Sequence, residues 1–313
     1  MISFGPVPSR RLGKSLGVNN ITANKICSYS CIYCQVGLTH KFSAEPQEFY
    51  SPDVVFREVG EHLTKLTPDE RPDYLTFVAN GEPTLDIRLG ESISRLKEFQ
   101  IPVAVITNAS MLWDAQVRQN LKLADWVSVK IDAGDELHWK KINRPSKHIS
   151  FQQYLSGILQ FSSDFSGKLV TETMLVKDVN DRVEDLENTV KLVNMVMPSI
   201  AYISIPTRPP AVKSVLAADD EIINFAYQLF VSKGLNTELI LGFEGTDTGF
   251  TGNAAEDIIN MCSVHPIRED TMQEILRKDN ADQTLLNTLL ANNLILKLSY
   301  NSKDFYLRNF HKY

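Results

Sequence analysis

The stretch from Cys27 to Cys34 constrains this chain more than any other, because it holds three of the four cysteines within eight residues. Its sequence is Cys27-Ser28-Tyr29-Ser30-Cys31-Ile32-Tyr33-Cys34, and no regular helix or strand brings all three thiols to one point. We therefore expect a loop wrapped around a shared centre. Three thiolates from one loop are the ligand set of an iron–sulfur cluster in which one iron lacks a protein ligand. That iron could bind a small molecule, so the motif predicts a reactive site.

A zinc site is the alternative interpretation of the same loop, because structural zinc takes four thiolate or imidazole ligands. His40 is close enough in sequence to supply a fourth ligand, whereas Cys262 is distant. The spacing of the cysteines alone leaves both centres open. A disulfide framework is not expected from four cysteines of which three are clustered, and reduced thiols indicate a cytoplasmic protein.

The composition is that of a soluble globular protein, with 43% hydrophobic and 22% charged residues in a chain of 313. This length suits one large α/β domain with a small appendage. No apolar run approaches the length of a membrane span and no secretory signal opens the chain, so we expect no membrane contact.

The charge is distributed unevenly along the chain. Residues 1–41 contain five Lys and Arg and no Asp or Glu, so the net charge of −6 leaves −11 on residues 42–313. Cations near the thiolates would stabilise an anionic cluster. The alternative is a basic arm that binds an acidic partner.

Strand-like apolar runs alternate with helical patterns through most of the chain. Strands are expected at residues 16–21, 74–79, 103–106, 126–131, 169–175 and 201–205, with helices in the intervals between and after them. This alternation predicts a parallel sheet covered by helices and curled into a full or partial barrel over residues 1–245. Functional residues of such folds gather at the carboxyl ends of the strands.

The segment of residues 4–14 precedes the first expected strand. It contains two prolines and two glycines, so we expect no regular element there. Its paired Arg10 and Arg11 could hold a carboxylate or phosphate in fork geometry, or they could simply be solvated.

Polar residues stand at the expected strand ends. Asn80-Gly81-Glu82-Pro83 follows the second strand, and Thr107-Asn108 follows the third. Each could be only a turn, but carbonyls and a carboxylate can also accept from an ammonium group. On the fourth strand, Lys130 and Asp132 share one face with Ser128. Lys130 suits a ligand carboxylate and Asp132 a hydroxyl or substrate, unless the two form an ion pair.

The Cys-x3-Cys-x2-Cys spacing, with an aromatic residue before the last cysteine, resembles the signature of the radical S-adenosylmethionine (SAM) superfamily. The Gly-Glu-Pro and Thr-Asn turns are similar to motifs of that superfamily in the same order, although Asn80 and Ala109 replace glycines. The resemblance covers about residues 1–245 and implies a [4Fe–4S] cluster on Cys27, Cys31 and Cys34. It implies SAM contacts from the strand ends, at Gly81, Glu82, Thr107, Asn108, Lys130, Asp132 and Arg208, the last as a carboxylate clamp.

The resemblance also implies an activity. One electron, from a donor such as flavodoxin or ferredoxin, would cleave SAM into methionine and a 5′-deoxyadenosyl radical. The radical would take a hydrogen atom from a substrate, and the cofactors would supply that chemistry. The opening Phe4-Gly5-Pro6 segment and the cysteine loop are similar to Fe–S oxidoreductases related to wyosine-type tRNA enzymes. The substrate could therefore be a tRNA, a protein or a small molecule.

Residues 246–313 have a different pattern, in which three helices are followed by a hairpin at about 294–307. This order predicts a small winged-helix-like domain, and a non-enzymatic iron–sulfur redox sensor that binds DNA is the rival function. However, residues 253–313 hold seven Lys and Arg against eight Asp and Glu, and residues 282–292 hold no Lys or Arg. Because DNA binding needs cations at phosphates, we expect a module that docks a protein or substrate. Cys262 is expected in its core.

Overall fold

The computed structural model describes residues 2–21, 24–39, 41–242 and 245–309. Within these residues the strands are β1 (Ser3–Ser9), β2 (Gly13–Val18), β3 (Ile26–Cys27), β4 (Lys41–Phe42), β5 (Tyr74–Phe77), β6 (Val103–Thr107), β7 (Trp126–Lys130), β8 (Lys168–Met174), β9 (Ile200–Ser204), β10 (Thr237–Ile240), β11 (Ile267–Arg268), β12 (Ile295–Tyr300) and β13 (Lys303–Arg308). The α-helices are α1 (Pro52–Lys65), α2 (Leu89–Leu96), α3 (Ala115–Leu121), α4 (Glu136–Asn143), α5 (Phe151–Asp164), α6 (Val183–Val196), α7 (Asp220–Ser232), α8 (Ala254–Val264), α9 (Glu269–Lys278) and α10 (Gln283–Ala291). None of these helices combines the length and the apolar character that crossing a bilayer requires.

An eight-stranded sheet forms the centre of the molecule, in the spatial order β1, β2, β5, β6, β7, β8, β9, β10. Every neighbouring pair from β2 to β10 is parallel, and β1 alone is antiparallel to its neighbour. Helices connect successive parallel strands and the sheet curls into a half-barrel. The predicted α/β fold with a partial barrel is thereby confirmed.

The two faces of the sheet have different surroundings. Leu75 and Val129 on the outer face are 0% exposed and belong to the main hydrophobic core under the helices. Trp126 on the inner face belongs to a smaller apolar cluster. Because side chains alternate along a strand, Lys130 lies on the same inner face as Trp126, and Glu172 of β8 is its register partner. The inner face therefore changes from apolar to charged toward the carboxyl ends of the strands.

The helix starts follow from local sequence. Ser51 accepts a hydrogen bond from Val54 N at 3.4 Å and Pro52 occupies the first helical position of α1, as its sequence predicts. Ser150 and Gln153 form a reciprocal capping box at the start of α5. These caps set where each helix begins and thus how long each strand-to-helix loop can be.

The expectation that residues 4–14 form no regular element is wrong, because β1 occupies most of this segment. β1 is an edge strand with one unpaired side, so a proline that lacks an N–H can lie there without losing a ladder hydrogen bond. The pairing with β2 is also irregular between Phe4 and Val7, which accommodates Pro6.

Residues 245–309, called the C-terminal unit below, contain three helices and a three-stranded sheet in the order β11, β13, β12. The unit has its own apolar core, which includes Met272 and Leu286, and Phe4 and Val7 of β1 pack into that core. The winged-helix interpretation and the boundary between residues 245 and 246 stay predictions. Phe243 and Glu244, next to this boundary, lie outside the described residues.

A buried carboxyl in the C-terminal unit leads to a pH prediction. Burial raises the pKa of Asp257 to about 6, although it accepts hydrogen bonds from Thr251 N (2.7 Å) and Oγ1 (3.0 Å). Since its folded pKa exceeds the unfolded value of about 3.9, its ionisation opposes folding, and stability falls between about pH 4 and pH 6. We expect the change from Asp257 to Asn to remove this loss. Between pH 4 and 7 the free energy of unfolding of Asp257→Asn should gain about 2 kcal/mol over that of the wild type. The free energies of unfolding of both proteins are measured by denaturant titration across this pH range. If they change with pH in the same way, the prediction is wrong.

Candidate active site

The first half of the cysteine loop is attached to the end of β5. Ile26 N donates to the carbonyl of Asn80 at 3.2 Å, and Glu82 N donates to the carbonyl of Ile26 at 3.1 Å. Gly81, between these two contacts, has a φ of +143°, and a Cβ atom there would lie 1.7 Å from the Ile26 carbonyl oxygen. Only glycine allows this approach, so Gly81 is what lets Cys27 reach the carboxyl edge of the sheet.

The second half of the loop is attached to the segment that joins α4 to α5. Ser30 N donates to the carbonyl of Asn143 and Ile32 N to that of Ile142, at 3.1 and 3.0 Å. In return, Ser146 N donates to the carbonyl of Ser28 at 2.8 Å. The loop is thus held by main-chain hydrogen bonds on both sides, which fixes the positions of its thiols without using their sulfur atoms.

Each of the three thiols lies beside a side-chain nitrogen donor, and the three donors come from different parts of the chain. Lys25 Nζ lies 3.2 Å from Cys34 Sγ. Asn108 and Asn143 each place Nδ2 3.5 Å from a sulfur, that of Cys27 and that of Cys31. Hydrogen bonds to sulfur favour the thiolate that a metal requires and tune the potential of a cluster.

Burial acts in the opposite direction to these hydrogen bonds, because it disfavours the charged thiolate form. It raises the pKa of the Cys27 and Cys31 thiols to about 12. Burial alone would lower the pKa of Lys25, but the neighbouring thiolates, that of Cys34 foremost, raise it above its usual value. Binding of a metal must therefore displace protons from these thiols, and Lys25 is a cation placed to offset the charge that results.

The spread of the thiols distinguishes the two centres considered for this loop. In the described part of the chain, one set of three His, Cys, Asp or Glu ligand atoms lies within 4.8 Å of one another, and it is Asp135, His138 and Asp185. The three cysteine sulfurs are therefore spread more widely than that. A single zinc ion holds thiolates at about 2.3 Å, which limits two of them to about 4.6 Å apart. At least one pair of these sulfurs lies more than 4.8 Å apart, which favours a cluster in which each thiolate binds a different iron over a single zinc ion. His40 lies outside the described residues.

Glu82 connects two strand ends. Its carboxylate accepts from Thr84 N and Thr84 Oγ1 at 3.1 and 2.6 Å, from Thr107 Oγ1 at 2.5 Å and from Asn108 N at 2.7 Å. Burial raises the pKa of Glu82, which is 1% exposed, while these donors favour its ionised form. The sequence-predicted residues Glu82, Thr107 and Asn108 thus form one hydrogen-bonded set that also reaches Cys27 through Asn108.

A second charged set lies beside the first, across β7 and β8. Lys130 Nζ lies 3.6 Å from Asp132 and 3.1 Å from Glu172, and Arg11 pairs with the same Glu172. Burial alone would raise the pKa of Glu172, but Arg11 and Lys130 hold it well below its usual value. Tyr33 donates a short hydrogen bond to Asp132 and lies under Lys130, whose Nζ is 5.0 Å from the ring centroid. Tyr33 therefore ties the cysteine loop to this charged set.

Sequence reasoning missed three of these partners. Glu172 was not singled out, because its role depends on Arg11 and Lys130, which are distant in sequence. Its neighbours Thr171 and Thr173 alternate with it and so lie on the outer face of β8. Lys25 was signalled only by the absence of acids in residues 1–41, and the sequence around Asn143 assigned that residue no role, because its role depends on contact with Cys31.

Arg208, the remaining predicted SAM contact, lies at the C-terminal unit. Its Nε donates to the carbonyl of Pro266 at 3.3 Å, and its Nη2 lies 2.7 Å from His265 Nε2. The structure therefore brings Gly81, Glu82, Thr107 and Asn108 together at the cysteine loop, with the Lys130 and Asp132 pair beside them. Arg208 belongs instead to the junction between the barrel and the C-terminal unit.

A curled parallel half-barrel with three thiols at its carboxyl edge defines the fold class of the protein, and comparison with known families gives the superfamily. Residues 21–193, more than half of the chain, match the model of the radical SAM superfamily. The chain belongs to that superfamily, and it is an enzyme.

Particular relatives place the chain more closely. It is 42% identical over 310 residues to a UPF0026 protein of Methanocaldococcus jannaschii, covering 98% of this chain and 96% of the relative. Among solved structures, it resembles SuiB of Streptococcus suis bound to S-adenosylmethionine, with a TM-score of 0.53 at 11% identity over 71% of this chain. It also resembles a radical SAM methyltransferase from Sphaerobacter thermophilus, with a TM-score of 0.52 at 13% identity, covering 72% of this chain and 66% of that one. This chain matches about half of SuiB, 49% of its length, and at these identities the two structures support the fold alone.

Proposed function

We propose that this enzyme reductively cleaves SAM at a [4Fe–4S] cluster held by Cys27, Cys31 and Cys34. The observation that carries the proposal is the combination of three separated thiols, each beside a nitrogen donor, with a loop fastened to the carboxyl edge of a parallel half-barrel. This is the edge at which α/β proteins of this kind bind their ligands.

When bound, the cluster and SAM would supply the one-electron cleavage chemistry, and the electron itself would come from an external donor. The chain supplies position. Gly81 and Glu82 form the end of β5 at which the amino group of SAM would bind. Asn108 connects this strand end to Cys27, because it hydrogen-bonds to both Glu82 and the Cys27 sulfur. Ser128 Oγ on the inner face is buried without a hydrogen-bond partner among the described residues, so a polar ligand has a donor to use there.

Lys130 and Asp132 would contribute the charge on the other side of the ligand. Burial alone would lower the pKa of Lys130, but Asp132 and Glu172 raise it, so the ammonium group stays charged. A carboxylate arriving at Lys130 would compete with Glu172, which Arg11 can retain. The four-residue charged set can thus accept a zwitterion without leaving an unpaired buried charge.

The electron would come from a small acidic redox protein such as flavodoxin or ferredoxin. Arg144, Lys147 and His148 are exposed on the surface next to the cysteine loop, and the carbonyl of Arg144 accepts from Ser30 N at 3.1 Å. This basic surface is in direct main-chain contact with the cysteine loop. Such a surface suits brief electrostatic docking of an acidic electron donor.

The test is anaerobic formation of 5′-deoxyadenosine. Cluster-loaded protein with SAM and dithionite should release it over time, and omission of dithionite should abolish release. The product is measured by chromatography against iron content. A reducing flavodoxin system in place of dithionite examines the donor directly, and no product from a fully loaded cluster would refute the proposed cleavage.

A tRNA substrate is the second candidate, and the charges of the C-terminal unit do not favour it. Helix α10, in the position of a recognition helix, contains no Lys or Arg, and residues 253–313 are nearly neutral. We therefore do not advance a wyosine-type reaction, and we do not advance a DNA-binding sensor.

A further inference from the structure

A cavity of about 260 Å³ lies between the carboxyl ends of β9 and β10 and the C-terminal unit. Residues 205–208 after β9 and 265–268 of the C-terminal unit form much of its wall. The unit also touches the cysteine loop, because Gln35 Nε2, one residue after Cys34, donates to the carbonyl of Val264 at 3.0 Å. The cavity thus lies at the edge of the sheet that carries the cysteines.

The charges around the cavity have one sign. Arg208, Arg268 and Lys303 line it, and none of its lining residues in the described chain is Asp or Glu. The His265 nitrogen that faces Arg208 is an acceptor, because a guanidinium can only donate. Arg268 is also paired with Asp270, whose side chain is 46% exposed. Among the described residues of the lining, an anion in the cavity would therefore meet cations and hydrogen-bond donors and no carboxylate.

Two buried hydroxyl groups in the wall lack partners. Thr248 and Thr271 both line the cavity and are 2% and 6% exposed, and neither Oγ1 has a hydrogen-bond partner in the described chain. Buried hydroxyls are normally paired, so each of these two can donate to an acceptor in the cavity once its side chain rotates toward it. Thr271 lies in the first turn of α9, a ten-residue helix whose N-terminal end favours negative charge.

We propose that this cavity binds the anionic group, a phosphate or a carboxylate, of a small-molecule substrate. The inference rests on the proposed function, since that function requires a substrate beside the cluster. The volume lies just below the ~300–1,000 Å³ of typical ligand pockets, which suits a metabolite and not a folded macromolecule. Arg208 then holds the substrate and not the carboxylate of SAM.

The experiment is a titration of the cluster-loaded protein with inorganic phosphate and, separately, with malonate, at an ionic strength kept constant with chloride. The midpoint of anaerobic thermal unfolding should rise saturably with at least one of the two anions. Arg208→Gln should weaken the apparent affinity at least about tenfold, because a charge-assisted fork is lost. The matched control is Arg57→Gln, which removes the same charge from a mostly exposed side chain on α1 and should change nothing.

Two milder variants keep the test decisive if Arg208→Gln does not fold. Lys303→Gln, at an exposed position, and Thr271→Val should each weaken the same anion a few-fold. If neither anion stabilises saturably, if both arginine variants behave alike, or if both milder variants bind as the wild type does, the inference is wrong. The titration needs no SAM, so this failure is distinguishable from failure of the 5′-deoxyadenosine assay. The anion that binds with the higher apparent affinity indicates whether the substrate carries a phosphate or a carboxylate.

Discussion

Alanine in place of Cys31 should prevent the proposed cluster from forming and abolish the release of 5′-deoxyadenosine. Cys31 is one of three thiols in the loop, and the fourth cysteine of the chain, Cys262, lies buried in the core of the C-terminal unit, so no other thiol can replace it. Two thiolates would leave a second iron without a protein ligand, and Asn143, 3.5 Å from the missing sulfur, is no substitute for a thiolate. We expect bound iron to fall at least about tenfold, measured with acid-labile sulfide after anaerobic reconstitution, and SAM cleavage to fall below detection.

Cys262→Ala is the matched control, since it also removes one buried thiol. Cys262 is 4% exposed within the core of the C-terminal unit, and its Sγ donates to the carbonyl of Tyr306 at 3.5 Å. The variant should lose about 1 kcal/mol of stability through the small cavity, and it should keep its iron and its activity. Loss of iron from Cys262→Ala, or full iron content in Cys31→Ala, would mean that the metal centre uses another ligand set.

The sequence predicted correctly those parts of the candidate site that are formed by residues close together in the chain. The Cys27–Cys34 spacing and the turns at Gly81 and Thr107 are local patterns, and hydrophobic periodicity located the strands that place them on one edge. Because carboxyl ends of parallel strands meet at one edge, the order of the motifs along the chain was enough to predict that they converge.

Prediction from sequence failed where a residue's role depends on distant partners. Arg11 and Glu172 are far apart in the chain, and neither alone indicates the charged set that they complete with Lys130. β1 carries prolines that argue against a strand, and only its edge position makes them acceptable. Arg208 follows a strand as a site residue should, but the C-terminal unit draws its side chain away from the cysteine loop.

Alanine in place of Gly81 should separate the cysteine loop from the sheet. Its Cβ would lie 1.7 Å from the carbonyl oxygen of Ile26, so β3 must move away and both hydrogen bonds of Ile26 with residues 80 and 82 are put at risk. A φ of +143° is also a conformation that only glycine adopts without strain. We expect a loss of about 3 kcal/mol or more in the free energy of unfolding, and a cluster content at least about tenfold lower because Cys27 moves with β3. Denaturant titration and iron analysis measure the two effects.

Gly37→Ala is the control that separates strain from collision. Gly37 also has a positive φ, +89°, and lies just beyond the last cysteine, but no atom lies within 4 Å of the position of its Cβ. Its replacement should cost only the strain of a left-handed residue, about 1–2 kcal/mol, and the cluster should still bind. If Gly81→Ala keeps its cluster as Gly37→Ala does, then the close approach of β3 to the end of β5 is not what positions Cys27. The hydrogen bonds of the loop to the α4–α5 segment would then be sufficient, and Gly81 would be required for the fold alone.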